Sequence, residues 1–493
     1  MRPRISARSQ RRLRGLALVA TTAVLLPLAS PASATDGPAE ELTIESFMLP
    51  AGASGLSLEE LQSEDAVRKF RAQAQASSEG DATAVAETVG PAASYDPSAE
   101  NPSEAGTGAT AEDAPTSDPS TEGEAAEDVS EDPELAAASA KYPEPPHSMS
   151  LDECRNALGA NKKFFVKSRF AVCSGASFHQ TWKRNEKPIG ESEFRVFAIG
   201  TIAKGSREMH TQVYFANFAA TGAMATHKLM ISPILTMPKK WPASAKASQG
   251  GNVPGAQSFE ALARQKPATF AHTITVASGQ GSTRDDLVFA VYEPAVKIMP
   301  PPGWGMKGDQ GGKLFFFAPR WDTAKYVTKK GGAVFSNVGT LRYSSKAGAP
   351  EKAVAEHIRD AYNNPGVTVP KNPQKSIPGR DVKNPLHRLF HDRTRREANR
   401  DEAIKVCKQV WGNNYPTDPQ NPNVKRECDE FPFATTYEGS AQKRYEKSKP
   451  ANNFSARALP RPDNGAGGTL LAGFLTKNRM IDGDNDGFIV EIQ

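Results

Sequence analysis

Between residues 141 and 330 the apolar positions fall in short, strand-like runs. The stretches 194–202, 209–218, 272–276, 287–292 and 313–317 are rich in Phe, Val, Ile, Thr and Tyr, and turn-forming residues separate them. Repeated short strands of this kind predict an antiparallel, sandwich-like β domain of roughly 180 residues. Its histidines (His147, His179, His210, His227, His272) are scattered and form no catalytic constellation. A binding or spacer role follows for this region, with an envelope polymer as one partner it would suit.

Beyond residue 332 the period changes. Gly332-Ala333-Val334-Phe335 reads as a strand. Over 350–362, Ala353, Val354, Ile358 and Ala361 recur at helical spacing; Pro350 suits the first turn, and Asn363-Asn364-Pro365-Gly366 ends it. An Arg-rich helical stretch covers 388–411 and stops at Gly412. The run Asp429-Glu430-Phe431-Pro432-Phe433-Ala434 reads as extended. A helix over 467–477 is entered from the Asp463-Asn464 turn, and 488–492 alternates as a final strand. This mixture predicts an α+β domain over 332–493.

The first 140 residues follow neither pattern. Six arginines (Arg2, Arg4, Arg8, Arg11, Arg12, Arg14) precede an apolar run over 15–28, and Ala32-Ser33-Ala34 offers a cleavage site. Residues 1–34 therefore read as an export signal, by the general secretory route in preference to the twin-arginine one. That apolar run is too short to span a bilayer comfortably and no second candidate follows, so no stable membrane association is expected. Residues 35–140 hold 24 acidic residues against Arg68, Lys69 and Arg71. Such a segment buries too little apolar surface to offset the entropy of ordering. It reads as a disordered acidic linker or propeptide, with a short helix over 56–70.

Charge and cysteine usage sharpen the picture. Removing the acidic segment leaves a basic folded part, which suits a polyanionic partner. Four cysteines in an exported chain favour two disulfides. Three pairings are open; nearness in sequence favours Cys154–Cys173 and Cys407–Cys428.

The candidate chemistry lies near the C-terminus. Asp429, Glu430 and Glu438 fall close together, and Pro462-Asp463-Asn464-Gly465 follows. No histidine occurs after His391, so a hydrolytic site built here draws its base from Asp or Glu. Its metal ligands would be oxygens, which favour Mg²⁺ or Mn²⁺, with Ca²⁺ as a further option. Adjacent residues of a strand point to opposite sides, so only one of Asp429 and Glu430 faces a given site. Lys443, Arg444, Lys447, Lys449, Arg457 and Arg461 lie between the two motif halves and suit phosphate contacts. Three further patterns have plainer readings. Asn464 also suits a helix cap. His387 and His391 have zinc-capable spacing but no accompanying glutamate. Asp482-Gly483-Asp484-Asn485-Asp486-Gly487 resembles half an EF-hand loop but reads better as a polar turn.

The segment Cys428-Asp429-Glu430-Phe431-Pro432-Phe433-Ala434-Thr435-Thr436-Tyr437-Glu438-Gly439, followed by Pro462-Asp463-Asn464-Gly465-Ala466-Gly467, a helix and a strand, resembles the NucA/NucB family of secreted deoxyribonucleases. The likeness extends back through His391-Asp392-Arg393 and Asn399-Arg400 to the strand and helix over 334–362, about 160 residues in all. It implies a ββα-metal fold in which an aspartate replaces the usual catalytic histidine. By position it implies Asp429 as general base and Asn464 as metal ligand, with Glu438 as a second ligand or supporting group. Glu430 would lie behind them, and Arg393 and Arg400 would hold phosphate. The helix after Asn464 carries Leu470, Leu471, Phe474 and Leu475 and offers no second polar ligand. The implied activity is a metal-dependent, nonspecific endodeoxyribonuclease acting on DNA outside the cell. A non-catalytic envelope or polyanion-binding protein with a degenerate nuclease domain is the alternative; an antibacterial toxin with an immunity partner is a third reading.

Overall fold

The computed structural model describes residues 40–53, 55–57, 59–60, 63, 65–66, 68–70 and 141–493. The expected export signal and most of the acidic segment lie outside them.

The start of that segment departs from the expectation of disorder. Leu42–Pro50 is a nine-residue strand. It pairs antiparallel with Ala171–Arg184 from Leu42↔Arg184 to Pro50↔Ala176, and parallel with Gly305–Gly308 on its other edge. Ile44 joins a buried core cluster, and Leu49, an odd number of residues further on and so on the opposite face of the strand, is buried as well. A composition averaged over the whole acidic stretch hides so short a strand. The helical turn ending at Phe70 sets that ring edge-on to Phe47 at 5.1 Å.

Two large sheets follow. The first has eight strands in the order Gly305–Gly308, Leu42–Pro50, Ala171–Arg184, Lys187–Ile202, Glu208–Gly222, Ala268–Val276, Ala247–Gly251, with Phe164–Ser168 added beside Ala171–Arg184. The second has six, ordered Gly332–Phe335, Pro319–Asp322, Val288–Met299, Met230–Trp241, Gln257–Ser258, with Gly311–Lys313 beside Val288–Met299. Phe178, Val196 and Phe215 of the first share a buried cluster with Ile231, Val296 and Ile298 of the second. The disulfide Cys154–Cys173 ties the helix Leu151–Leu158 to the first sheet. Two expectations shift here. The ladder near 313 ends at Lys313, and Phe315 and Phe317 run on outside it. Gly332–Phe335 was expected to open the C-terminal domain, but it pairs with Pro319–Asp322 at the edge of the second sheet. Its four residues are all buried there, which a hydrophobic run cannot foretell without its partner.

The C-terminal elements are β1 (Gly339–Tyr343), α1 (Lys352–Asn363), β2 (Leu386–His387), α2 (Arg393–Trp411), β3 (Arg426–Phe431), β4 (Ser455–Pro460), α3 (Arg461–Lys477) and β5 (Gly487–Ile492). β5 is central between β1, which is parallel to it, and β2, which is antiparallel. β3 and β4 form a separate hairpin. Leu341 and Tyr343 of β1, Val354 and Ile358 of α1, Phe431 of β3 and Phe474 of α3 share one core. Gly467 lets α3 approach α1: a Cβ there would sit 3.0 Å from Val354. α2 starts at Arg393 rather than 388 because Asp392 caps it, accepting from the Arg395 N–H at 2.8 Å. α3 starts at Arg461, six residues earlier than expected, directly off β4.

A buried ionic cluster joins the two-sheet region to the C-terminal elements. Arg169 and Arg320 both hold the Asp486 carboxylate; Arg320 and Arg479 both hold that of Asp322. All five side chains are at most 4% exposed. Arg169 also donates to the carbonyls of Asn478 (3.0 Å) and Arg479 (3.3 Å). Asp482 accepts from the N–H groups of Phe390 (2.6 Å) and His391 (3.3 Å). With Asp482 and Asp486 used this way, the loop over 482–487 is a polar turn rather than a calcium loop.

Candidate nuclease site

The site grows from the register of one hairpin. β3 and β4 pair from Arg426↔Pro460 to Phe431↔Ser455, with Asp429 opposite Arg457. Directly opposed residues of an antiparallel pair share a face, and alternate residues along a strand do too. One face therefore carries Glu427, Asp429 and Phe431 with Leu459, Arg457 and Ser455. The other carries Cys428 and Glu430.

The first face meets α1 and the start of α3. Asp429, 8% exposed, places its Oδ2 2.6 Å from Nδ1 of His357 on α1. The other ring nitrogen of His357 lies 2.7 Å from the Ser455 hydroxyl. Arg457 donates to Asp360, one turn further along α1, at 2.9 Å. Asn464, in the first turns of α3, donates its amide N–H to Glu427 at 2.9 Å, and Arg461 approaches the other oxygen of Glu427 at 3.1 Å. Asp463 accepts from the Ala353 N–H at 3.0 Å and so fastens the head of α3 to the head of α1. Asn464 is therefore not the helix cap; that position belongs to Pro460.

The second face meets α2. The Cys407–Cys428 disulfide bonds the hairpin to that helix. Burial, followed by the nearby charge of Asp429, pushes Glu430 up to about 8, against the pull of Arg400 and the Ala434 N–H. This favours the protonated form of Glu430, which lies on the side of the strand away from Asp429.

The structure accordingly sorts the sequence-read residues. It gathers Asp429, Arg457, Arg461 and Asn464 on one face. It sets Glu430 and Arg400 on the other. Arg393 pairs with Glu397 within α2 at 2.8 Å. Both oxygens of Glu438 are taken by His387, by its N–H at 2.9 Å and its Nδ1 at 2.7 Å. Burial alone would lower the His387 value, but the Glu438 hydrogen bond and charge win and raise it. His387 lies on β2 and His391 in the loop before α2, 3.5 Å from Asp285, so they do not form a helical pair. Asn399 is fully buried and holds the loop after β3 through Ala434, Thr436 and Ala441.

His357 is the residue that sequence reasoning missed. It stands among Val354, Ala355, Ile358 and Ala361 on the buried stripe of α1. A polar ring within an apolar stripe was the available signal, since burial of such a ring requires partners.

A hard divalent cation fits this face in a limited way. The amide nitrogen of Asn464 is spent on Glu427, which leaves its carbonyl oxygen as a donor. Glu427 adds a carboxylate beside it. No group of three or more His, Cys, Asp or Glu side chains suited to a metal occurs among the described residues. One or two protein oxygens, completed by water and substrate phosphate, is the usual environment of Mg²⁺.

An acid with one oxygen tied, an amide oxygen and two arginines on a single face suit hydrolysis of an anionic substrate. Residues 380–489 match the family model for the deoxyribonuclease NucA/NucB, so the C-terminal region carries a domain of that family. Such a domain implies deoxyribonuclease activity with DNA as substrate. No curated protein and no solved structure matches the chain. Among the described residues no helix is long and apolar enough to cross a membrane.

Proposed function

We propose that this protein is a secreted, metal-dependent, sequence-nonspecific endodeoxyribonuclease with Asp429 as its general base. The observation that carries the reading is the hairpin face itself. Asp429, Arg457 and Asn464 converge where β4 runs directly into α3, within the segment that matches the nuclease family. The β3–β4–α3 unit has the order of a ββα-metal site.

In this reading Asp429 takes a proton from water through Oδ1, because Oδ2 is occupied by His357. Arg457 and Arg461 hold the flanking phosphates, exchanging their present carboxylate partners for phosphate oxygens. Asn464 and Glu427 are the residues that would hold a Mg²⁺ or Mn²⁺ ion. When bound, such an ion neutralises charge that develops on the phosphate and its leaving oxygen. Glu430, on the far face, supports the strand. The paired cysteines and the leader-like first 34 residues support export.

The test is plasmid degradation by the mature, oxidised chain with Mg²⁺ or Mn²⁺, with EDTA, and beside Asp429→Ala. Cutting that needs metal and disappears in the variant is the expected result. Full activity of the folded variant would remove Asp429 as the base. The absence of a three-ligand cluster among the described residues favours one competing reading, a polyanion-binding protein with a degenerate nuclease domain. In that case DNA binding would survive EDTA and no metal would elicit cutting.

A further inference from the structure

We infer that His357 is a positioning residue for the candidate base: it holds the Asp429 carboxylate in one orientation and leaves Oδ1 as the oxygen that meets water. This rests on Asp429 being the base. It extends the site to α1, a helix that precedes the family-matched segment 380–489.

The geometry assigns the hydrogen-bond direction. His357 has no exposed surface, and both ring nitrogens have partners, at 2.6 and 2.7 Å. An ionised Asp429 can only accept, so Nδ1 carries the proton toward Oδ2. The Ser455 hydroxyl can serve Nε2 as donor or acceptor, so the bond to Asp429 keeps its direction either way. The chain from Ser455 Oγ through the ring to Oδ2 starts and ends on the same hairpin. Ser455 is opposite Phe431, two residues from Asp429 on that face. The imidazole thus bridges both strands and locks the rotation of the carboxylate. A carboxylate free to rotate spends part of its time with neither oxygen aimed at water, and small misplacements of a reacting group are costly.

A ring that only filled space would be replaceable by an apolar side chain with no effect on turnover. Its position makes that distinction measurable, because His357 touches the base and is buried away from substrate.

The experiment compares kcat and KM on linear duplex DNA for the mature chain and for His357→Ala, His357→Gln, Ser455→Ala, Asp429→Ala and the double variant Asp429→Ala/His357→Ala. Circular dichroism and melting confirm that each is folded. The expected result is a kcat for His357→Ala lowered by about 10- to 100-fold with KM within about 2-fold of the parent. His357→Gln, whose amide still donates toward Asp429, should recover part of that loss, and Ser455→Ala should lose less than His357→Ala. The double variant should be no slower than Asp429→Ala alone, since a positioning residue has nothing left to position. Unchanged kcat in folded His357→Ala overturns the inference, as do independent, multiplying losses in the double variant. Full activity of Asp429→Ala would overturn the base assignment instead, a separate result. If His357→Ala does not fold, His357→Leu, which fills the space without a donor, takes its place: parental kcat in that variant removes the positioning role, and a lowered kcat restored in part by His357→Gln supports it.

Discussion

Two buried polar clusters hold this molecule together, and they are built to opposite ends. At the seam between the sheets and the C-terminal elements, Asp322 and Asp486 are enclosed by Arg169, Arg320 and Arg479. Burial would raise the Asp486 value, but Arg169 and Arg320 overcome it and hold the carboxyl below its ordinary range. At the hairpin, Asp429 is tied on one side only, by the His357 ring, and its neighbour Arg457 pairs with Asp360 where both are partly exposed. A carboxylate saturated by fixed cations is a fastener. A carboxylate with one oxygen tied and one left over can do chemistry. Burial and residue type are shared; the number of partners and their exposure differ.

The comparison can be broken most forcefully at the hairpin. Asp429→Ala should lower turnover by about 10²- to 10⁴-fold, the usual contribution of a positioned general base. Plasmid and oligonucleotide cleavage at saturating substrate measure this. The same change should cost only about 1–3 kcal/mol of stability, from the unpaired Nδ1–H of His357.

Asp486→Ala should invert that result. It leaves Arg169 and Arg320 buried without their shared carboxylate, a loss of about 3–5 kcal/mol. Chemical denaturation of the mature chain checks it; a loss below about 1 kcal/mol would show that the seam is not a fastener. Activity of the fraction that remains folded should be close to normal.

A cross-link on the back of the hairpin gives a smaller effect. Replacing Cys407 and Cys428 together with serine removes a bridge spanning a separation of 21 residues. In the chain-entropy view this costs about 3 kcal/mol. The melting temperature should fall, while metal-dependent cleavage should persist below the new transition.

The hairpin and the seam should also differ in pH response. The folded value of Glu430 is raised to about 8 from an ordinary 4.5, so the folded chain keeps a proton that the unfolded chain releases. Its contribution to stability is full below about 4.5 and is lost as pH rises through about 8. Glu430→Gln should therefore flatten the decline, and its melting temperature relative to the parent should be higher at pH 9 than at pH 5. Asp486 has the reverse sign: its stabilisation is present above the ordinary carboxylate range and is lost on acidification.

The smallest effect is expected at the rim. Arg461→Ala should raise KM a few-fold with little change in kcat, and should reduce the salt dependence of DNA binding by about one unit of slope. Titration of binding against salt concentration measures it; an unchanged slope would mean that Arg461 does not contact phosphate.

Much of the C-terminal region was readable because its signals are local. The apolar spacing on α1, the extended run around Asp429 and the apolar run of α3 each declare themselves within about a dozen residues, although Asp463 and Asn464 read as a turn and lie inside that helix. The two disulfides follow from cysteines that lie close in sequence. Long-range pairings were not readable. Leu42–Pro50 joins a strand more than 120 residues away, from Leu42↔Arg184 to Pro50↔Ala176, and its acidic surroundings hide so short an apolar run. Gly332–Phe335 looks like the start of the next domain until its partner Pro319–Asp322 is known.

The same division runs through the site. Residue types and spacing along the chain point to Asp429 as an acid on a strand and to Asn464 near a helix start, because strand alternation and helix signals are properties of neighbours. They also confine Asp429 and Glu430 to opposite faces. Which face meets the reaction depends on what packs there, and that is set by folding at a distance. His357 reaches Asp429 across 72 residues of sequence, Glu438 is claimed by His387 across 51, and Arg169 grips Asp486 across 317. A hydrogen bond depends on where two atoms finish in space, and no local pattern records that position until the chain has packed.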